Sequence, residues 1–188
     1  MDPIFTLPFS EYEALNELKK KLKNEASFYI PTSRQQKGID FIIHNNRKNK
    51  LLRVQVKSSR SYVDAPHERR DKRKTYKYHL WFNNFLDRYE PGNADYYLLF
   101  GLYPQYKTEE NIKSKRVFWK NIVILFTEKE MFSLLKKIKV TKSNKADRFF
   151  DISFDHESEI FAARGFKRNI DLSKHLLKNA LSDLKKRL

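Results

Sequence analysis

Three polar side chains interrupt two short apolar stretches in the first third of the chain. GIDFII (38–43) and LLRVQVKS (51–58) have the composition of β-strands, and the polar sequence HNNRKNK between them predicts a hairpin turn. Successive strand residues point to opposite faces, so Gln55 and Lys57 share one face, and Asp40 joins them if the two strands pair. A carboxylate oxygen, an amide oxygen and an ammonium group would then lie near one point. Alternation alone leaves a simpler interpretation open, an antiparallel sheet face exposed to water.

The charge of the chain favours a polyanionic partner. Its 188 residues include 39 Lys and Arg against 23 Asp and Glu, a net charge of +16, and nucleic acid is the commonest partner of such proteins. A basic protein that is merely soluble, or that touches anionic membrane, is the alternative. No cysteine is present, which excludes disulfides and thiol nucleophiles. The four glycines are too far apart for a phosphate-binding loop.

The order of predicted elements indicates a single mixed α/β domain spanning residues 1–188. A helix from about Glu11 precedes the hairpin, and later segments have the pattern of buried strands and of an amphipathic helix that opens with a capping box, Thr127 with Glu130. The stretch LSKHLLKNALSDLKKRL (172–188) is predicted to be a closing helix. No apolar run reaches membrane-spanning length, so we expect a cytoplasmic protein without a membrane partner. We place the core at about residues 10–138 and a C-terminal extension at about 146–188.

The pattern of an Asp on one strand, and an acid or amide two residues before a Lys on the next, resembles the PD-(D/E)XK nuclease superfamily. The two halves stand here as GID and QVK, with Gln55 in place of the usual acid. This form is similar to a branch that includes homing endonucleases and some restriction-type enzymes. The resemblance covers residues 10–59 best, and it implies a buried strand further on, such as DYYLLFGL (95–102). It implies a restriction-endonuclease-like mixed β-sheet core flanked by helices.

The resemblance also implies an activity, the hydrolysis of phosphodiester bonds in double-stranded DNA by a Mg²⁺-dependent endonuclease of restriction or homing type. Asp40, the side chain of Gln55 and the carbonyl of Val56 would hold the Mg²⁺, for which Mn²⁺ should substitute. Lys57 would position or activate the attacking water. Cleavage of both strands would favour a homodimer. The alternatives are a non-catalytic nucleic-acid-binding module, and a repair, junction-resolving or RNA-directed nuclease.

The superfamily usually adds a glutamate from the first helix, and Glu11 is the candidate. We expect Glu13 to form a capping box with Ser10, and Glu17 to pair with Lys21 on the solvent side. Glu11 instead lies on the same row as the apolar residues that must face the sheet. A favourable charge at a helix N-terminus is its alternative role.

Basic residues on both sides of the hairpin are candidates for phosphate contacts. The basic and polar stretch SRSYVDAPHERRDKRKTYKY (59–78) is predicted to be an exposed loop, and its part HERRDKRKTYKY (67–78) either closes over a duplex or is simply solvated. The candidate nucleic-acid-binding residues in this loop and just before the hairpin are Arg34, Lys37, Arg69, Arg70, Arg73 and Lys74.

Overall fold

The structure is a computed structural model that describes residues 9–31, 38–63, 76–83, 85, 89–105, 118–138 and 149–188. Its helices are α1 (Phe9–Leu22), α2 (Glu128–Leu135) and α3 (Leu177–Arg187). Its strands are β1 (Ser27–Tyr29), β2 (Phe41–Asn45), β3 (Lys50–Val63), β4 (Tyr78–Asn83), β5 (Tyr96–Gln105), β6 (Phe118–Thr127), β7 (Phe149–Phe154), β8 (Phe161–Ala162) and β9 (Ile170–Asp171). Short 3₁₀ turns cover Lys23–Glu25 and Ser173–His175.

The described strands form one nine-stranded sheet in which β3 belongs to two parts. Residues 50–54 of β3 pair with β2, antiparallel, and residues 54–60 pair with β5 on the other side, parallel. Adding β1 beside β2 and β6 beside β5 completes the part that we call the first sheet. The last residues of β3 pair instead with β4, which continues through β7, β8 and β9 as the second sheet.

Two apolar cores follow from this arrangement. The first joins the two sheets and α2, with buried residues such as Leu80 and Ile152 from the second sheet and Leu99 from the first. The second lies between the first sheet and helices α1 and α3, where Val54 and Leu18 are fully buried. Alternate residues of β3 and β5 enter different cores, so the middle of the first sheet is covered on both faces.

The mixed α/β class, the hairpin and the later strands are confirmed, and three boundaries were predicted wrongly. Helix α1 begins at Phe9, so Ser10 lies inside its first turn and not at the N-cap. Strand β3 continues through SRSYV (59–63), a segment that its polar composition predicts to be loop. The Ser59 hydroxyl fits there because it accepts the backbone N–H of Trp81 at 3.0 Å. The closing helix starts at Leu177, after a 3₁₀ turn.

Within the described ranges, no helix combines the length and the apolar character needed to cross a membrane.

The capping box predicted at the start of α2 is confirmed. The Thr127 hydroxyl accepts the backbone N–H of Glu130 at 3.3 Å, and the Glu130 carboxylate accepts the N–H of Thr127 at 2.9 Å. This cap fixes the point at which the chain leaves β6 and turns onto the inter-sheet core.

Gly101 allows the two sheets to approach each other. A Cβ at this position would lie under 3.0 Å from both terminal methyl carbons of Leu80 and from Cγ2 of Ile122. Leu80 is fully buried, so its methyl groups have little room to move. The second sheet therefore packs on the first where β5 carries no side chain.

We expect Gly101→Ala to lower the free energy of unfolding by about 1–3 kcal/mol, the usual cost of overfilling a packed core. Denaturant unfolding measures this cost. In a Leu80→Ala background the same substitution should cost less, because the colliding methyl groups are gone. An equal cost in both backgrounds would mean that Gly101 does not determine the distance between the sheets.

Candidate active site

Asp40 lies at the point where β2 begins, and its main chain and side chain both bind β3. Its backbone N–H donates to the carbonyl of Val54 at 2.9 Å, and its Oδ2 accepts the N–H of Val56 at 2.6 Å. Phe41, the next residue, is also paired with Val54. Asp40, just before β2, and Phe41, its first residue, therefore both lie against Val54, and the regular pairing with β3 ends here. The carboxylate takes the place of a ladder hydrogen bond at this break.

Gln55 and Lys57 lie on the face of β3 that is turned away from α1, as alternation predicts. Gln55 is only 8% exposed and is paired along the sheet with Tyr97, so this face is not open to water at Gln55. Lys57 is half-buried, and its Nζ lies 6.0 Å from the centre of the Phe85 ring. Both side chains are therefore held at the edge of the inter-sheet core.

The electrostatics of Asp40 are unusual for a surface aspartate. Burial raises its pKa, while the hydrogen bond from Val56 and the positive charge of Lys57 lower it, and burial prevails. An ionised Asp40 is therefore less favourable in the folded chain than in the unfolded chain. Lys57 acts on Asp40 through the field of its positive charge. A bound cation would relieve the cost of keeping Asp40 charged.

The donor atoms around Asp40 suit a hard cation. One carboxylate oxygen is held by Val56, which leaves the other oxygen for a further ligand. In an extended strand the carbonyl of a residue points to the same side as its N–H, so the Val56 carbonyl faces the same edge. The side-chain amide of Gln55, the residue before Val56, would add a third oxygen. The candidate ligands are then oxygens only, as Mg²⁺ prefers. Among the described residues, no group of three or more His, Cys, Asp or Glu side chains is placed to hold a metal.

Glu11 lies in the first turn of α1, half-buried and close in sequence to Ala14 and Leu15, which are buried against the first sheet. Glu11 also has an interaction partner within the protein. The predicted pairing of Glu17 with Lys21 is wrong, because Glu17 accepts from Lys20 at 2.8 Å, one residue earlier. A role for Glu11 at the metal stays a prediction. The six basic residues proposed for phosphate contacts, Arg34, Lys37, Arg69, Arg70, Arg73 and Lys74, lie outside the described residues.

An ion pair between Asp95 and Arg53, for which the sequence analysis has no prediction, holds β5 against β3 near the site. The Arg53 guanidinium donates to both carboxylate oxygens, at 3.1 and 3.0 Å, and the Arg53 backbone N–H donates at 2.8 Å. Although burial opposes it, these hydrogen bonds lower the pKa of Asp95. The pair clamps the start of β5 to β3 two residues before Gln55. Only the acid at the beginning of DYYLLFGLY hints at it in the sequence.

A cluster of His79, Asp151 and Ser153 in the second sheet was also not predicted from the sequence. Nδ1 of His79 lies 3.0 Å from Asp151 Oδ2 and 2.9 Å from Ser153 Oγ, and Nε2 lies 3.0 Å from the carbonyl of Tyr76. A hydrolase triad needs the serine at the nitrogen opposite the aspartate. Here both approach the same nitrogen, so the cluster is structural. The polar positions that alternate with apolar ones in YHLWFN and FFDISF are the signal that could have revealed it.

Comparisons of the chain with models of protein families, with curated proteins and with solved structures gave no match. The geometry around Asp40 therefore has to be judged on its own chemistry.

We expect Asp40→Asn to make the protein more stable at neutral pH. The raised pKa means that ionised Asp40 costs free energy in the folded state above that pKa, and Asn removes the charge while its amide oxygen still accepts from Val56. The gain should disappear as the pH falls below the ordinary range of aspartate, where the parent carboxyl is protonated in both states. Thermal unfolding as a function of pH measures this.

The matched control is Asp95→Asn, which should destabilise the protein at neutral pH because Arg53 lowers the pKa of Asp95. If Asp40→Asn instead loses as much stability as the control, the Asp40 carboxylate serves only to bind the N–H of Val56 in β3, and its charge needs no functional explanation.

Proposed function

We propose that the protein is a Mg²⁺-dependent DNA endonuclease with a PD-(D/E)XK-type core. The observation that carries the proposal is the half-buried carboxylate of Asp40, which is bonded to the strand that carries Lys57 and the buried Gln55 although burial raises its pKa. Perturbed carboxylates next to a cation are typical of functional sites. The charge of +16 supports DNA as the substrate.

Each residue of the site has a role that follows from its position. Asp40 and the carbonyl of Val56 lie at the break between β2 and β3, where they would hold the cation together with Gln55. Bound there, Mg²⁺ would supply a Lewis acid for the phosphate and a water of lowered pKa. Lys57 acts on Asp40 through the field of its charge, and it would orient the attacking water and balance the negative charge that grows on the phosphate.

The arrangement of elements supports the same proposal. Helix α1 precedes the strand pair and packs behind it, and the two halves of the motif lie on adjacent antiparallel strands. The buried strand expected after the motif is β5, which runs parallel to β3 on its other side. The resemblance requires a helix, a strand pair and a later buried strand, and the order of elements fits it.

A non-catalytic nucleic-acid-binding module is the second candidate. The observation that favours it is that the described residues contain no group of three or more His, Cys, Asp or Glu side chains that could hold a metal. In that case Asp40 and Lys57 would only shape the edge of the inter-sheet core. Binding would survive, and cleavage would be absent in every divalent ion.

Lys57→Ala separates the two candidates. Lys57 is one of 39 basic residues, so its removal should change duplex affinity little. If Lys57 stabilises the transition state, cleavage should slow by ~10²–10³-fold, the usual cost of one electrostatic donor. Plasmid nicking in Mg²⁺ measures cleavage, and duplex binding in Ca²⁺ measures affinity on the same substrate.

The control is Lys50→Ala, which removes an equal charge from the exposed start of the same strand. It should cleave as the parent does. Equal losses of binding and cleavage in Lys57→Ala would make Lys57 an ordinary phosphate contact, and unchanged cleavage would contradict its catalytic role.

The salt dependence of duplex binding tests the proposed substrate class. Each neutralised phosphate releases counterion, so six contacts would give a slope of roughly −5 for the logarithm of affinity against the logarithm of salt concentration. Fluorescence anisotropy with a labelled duplex measures the slope. A flat response would exclude DNA as the polyanionic partner.

A further inference from the structure

The second sheet has an aromatic side that points away from the inter-sheet core. Tyr62 is paired with His79, Trp81 with Asp151, and Phe149 lies on the neighbouring strand beside Trp81. The residues that alternate with them, such as Leu80, are buried in the inter-sheet core. We call the side of β3, β4 and β7 that carries Tyr62, His79, Trp81 and Phe149 the outer face.

The rings of the outer face form a row that remains accessible. Tyr62 is 50% exposed and Phe149 is 40% exposed, and Trp81, between them, lies 5.3 Å from the Phe149 ring in an edge contact. The described helices pack elsewhere, since α1 and α3 cover the first sheet and α2 covers the inter-sheet core. Two exposed rings, Tyr62 and Phe149, and the half-buried Trp81 between them form a patch across three strands, of the kind that marks an interaction site.

The cations beside these rings indicate the charge of the ligand. The guanidinium of Arg60 lies 5.9 Å from the Tyr62 ring, and that of Arg164 lies 5.1 Å from the Trp81 ring. The one acid beneath the row, Asp151, is fully buried, so it presents no negative charge to a ligand. The acidic turn 155–159 follows the opposite end of β7 from Phe149.

The buried Ser, His and Asp cluster positions Arg164. Oδ1 of Asp151 accepts the backbone N–H of Arg164 and, at 3.3 Å, that of Ala163. Its Oδ2 is held in turn by His79 and Ser153. The cluster therefore fixes the main chain of Arg164 so that its side chain reaches Trp81. The outer face is a built arrangement of rings and cations.

We propose that the outer face binds an unpaired nucleic-acid strand. Bases of a single strand have free faces that stack on aromatic rings, whereas those of a duplex are already stacked within it. Tyr62, Trp81 and Phe149 would receive bases, and Arg60 and Arg164 would contact phosphates or stack on bases. The inference rests on the proposed nucleic-acid partner but not on cleavage, because Lys57 lies on the opposite face of β3 from Tyr62.

The two tryptophans of the chain, Trp81 and Trp119, allow a direct test. In a Trp119→Phe chain, Trp81 is the only tryptophan, and its emission should be quenched when an oligo(dT) of about 15 nucleotides stacks on the outer face in EDTA. In the matched Trp81→Phe chain, the emission of Trp119, 60% exposed on the first sheet, should not change.

Affinity variants complete the test. Tyr62→Ala and Phe149→Ala should weaken oligo(dT) binding by roughly 5- to 100-fold each, the effect of losing one stacked base. Phe118→Ala, which removes a ring that is 45% exposed on the first sheet, should leave affinity unchanged. Tyr62 and Phe149 are partly exposed, so their loss should not unfold the chain, and circular dichroism verifies this for each variant.

The outcomes separate this inference from the proposed function. Suppose that the protein binds duplex, that oligo(dT) does not change the Trp81 emission, and that Tyr62→Ala binds oligo(dT) as the parent does. The outer face is then not a surface for stacking bases, and a protein partner becomes the alternative. If neither duplex nor oligo(dT) binds, the nucleic-acid partner itself is wrong. Quenching that persists in Asp40→Asn, together with lost cleavage, would support both.

Discussion

The membership of β3 in two sheets is the constraint on which the rest of the structure depends. Its 14 residues pair first with β2 and β5 and then with β4. Because side chains alternate, Val54 and Val56 enter the core beneath α1, while Gln55 and Lys57 turn towards the inter-sheet core. A slip of one residue in this strand would exchange the two sets and bury the wrong groups in each core.

The candidate site lies where the pairing of β3 with β2 ends, before its pairing with β4 begins. β2 begins one residue after Asp40, so the N–H of Val56 would have no ladder partner there without the Asp40 carboxylate. The same hydrogen bond accounts for the geometry of the site and opposes the cost of burial. An asparagine could accept this hydrogen bond without the cost of a buried charge. The charge itself is therefore what needs a functional explanation, and a cation bound to the remaining oxygens provides one.

Much of the site's frame was predictable, because its signals are local. The hairpin follows from two apolar runs and a polar turn, and the shared face of Gln55 and Lys57 follows from alternation. The Thr127–Glu130 box needs only a spacing of three. The Arg53–Asp95 clamp and the His79–Asp151 contact join residues 42 and 72 positions apart, and no local pattern fixes such pairs. The polar end of β3 has the composition of a loop, but the hydroxyl of Ser59 accepts the backbone N–H of Trp81 from β4, which suits it to a strand.

A crystal structure with Mn²⁺ tests the central claim most directly, since the anomalous signal of the metal locates it without assumptions about the fold. The account predicts one ion bonded to Asp40 and to an oxygen of Gln55 or Val56, and no ion there in a crystal of Asp40→Asn grown and soaked identically. Asp40 bonded only to Val56 at saturating Mn²⁺, with no metal at the break between β2 and β3, would contradict it.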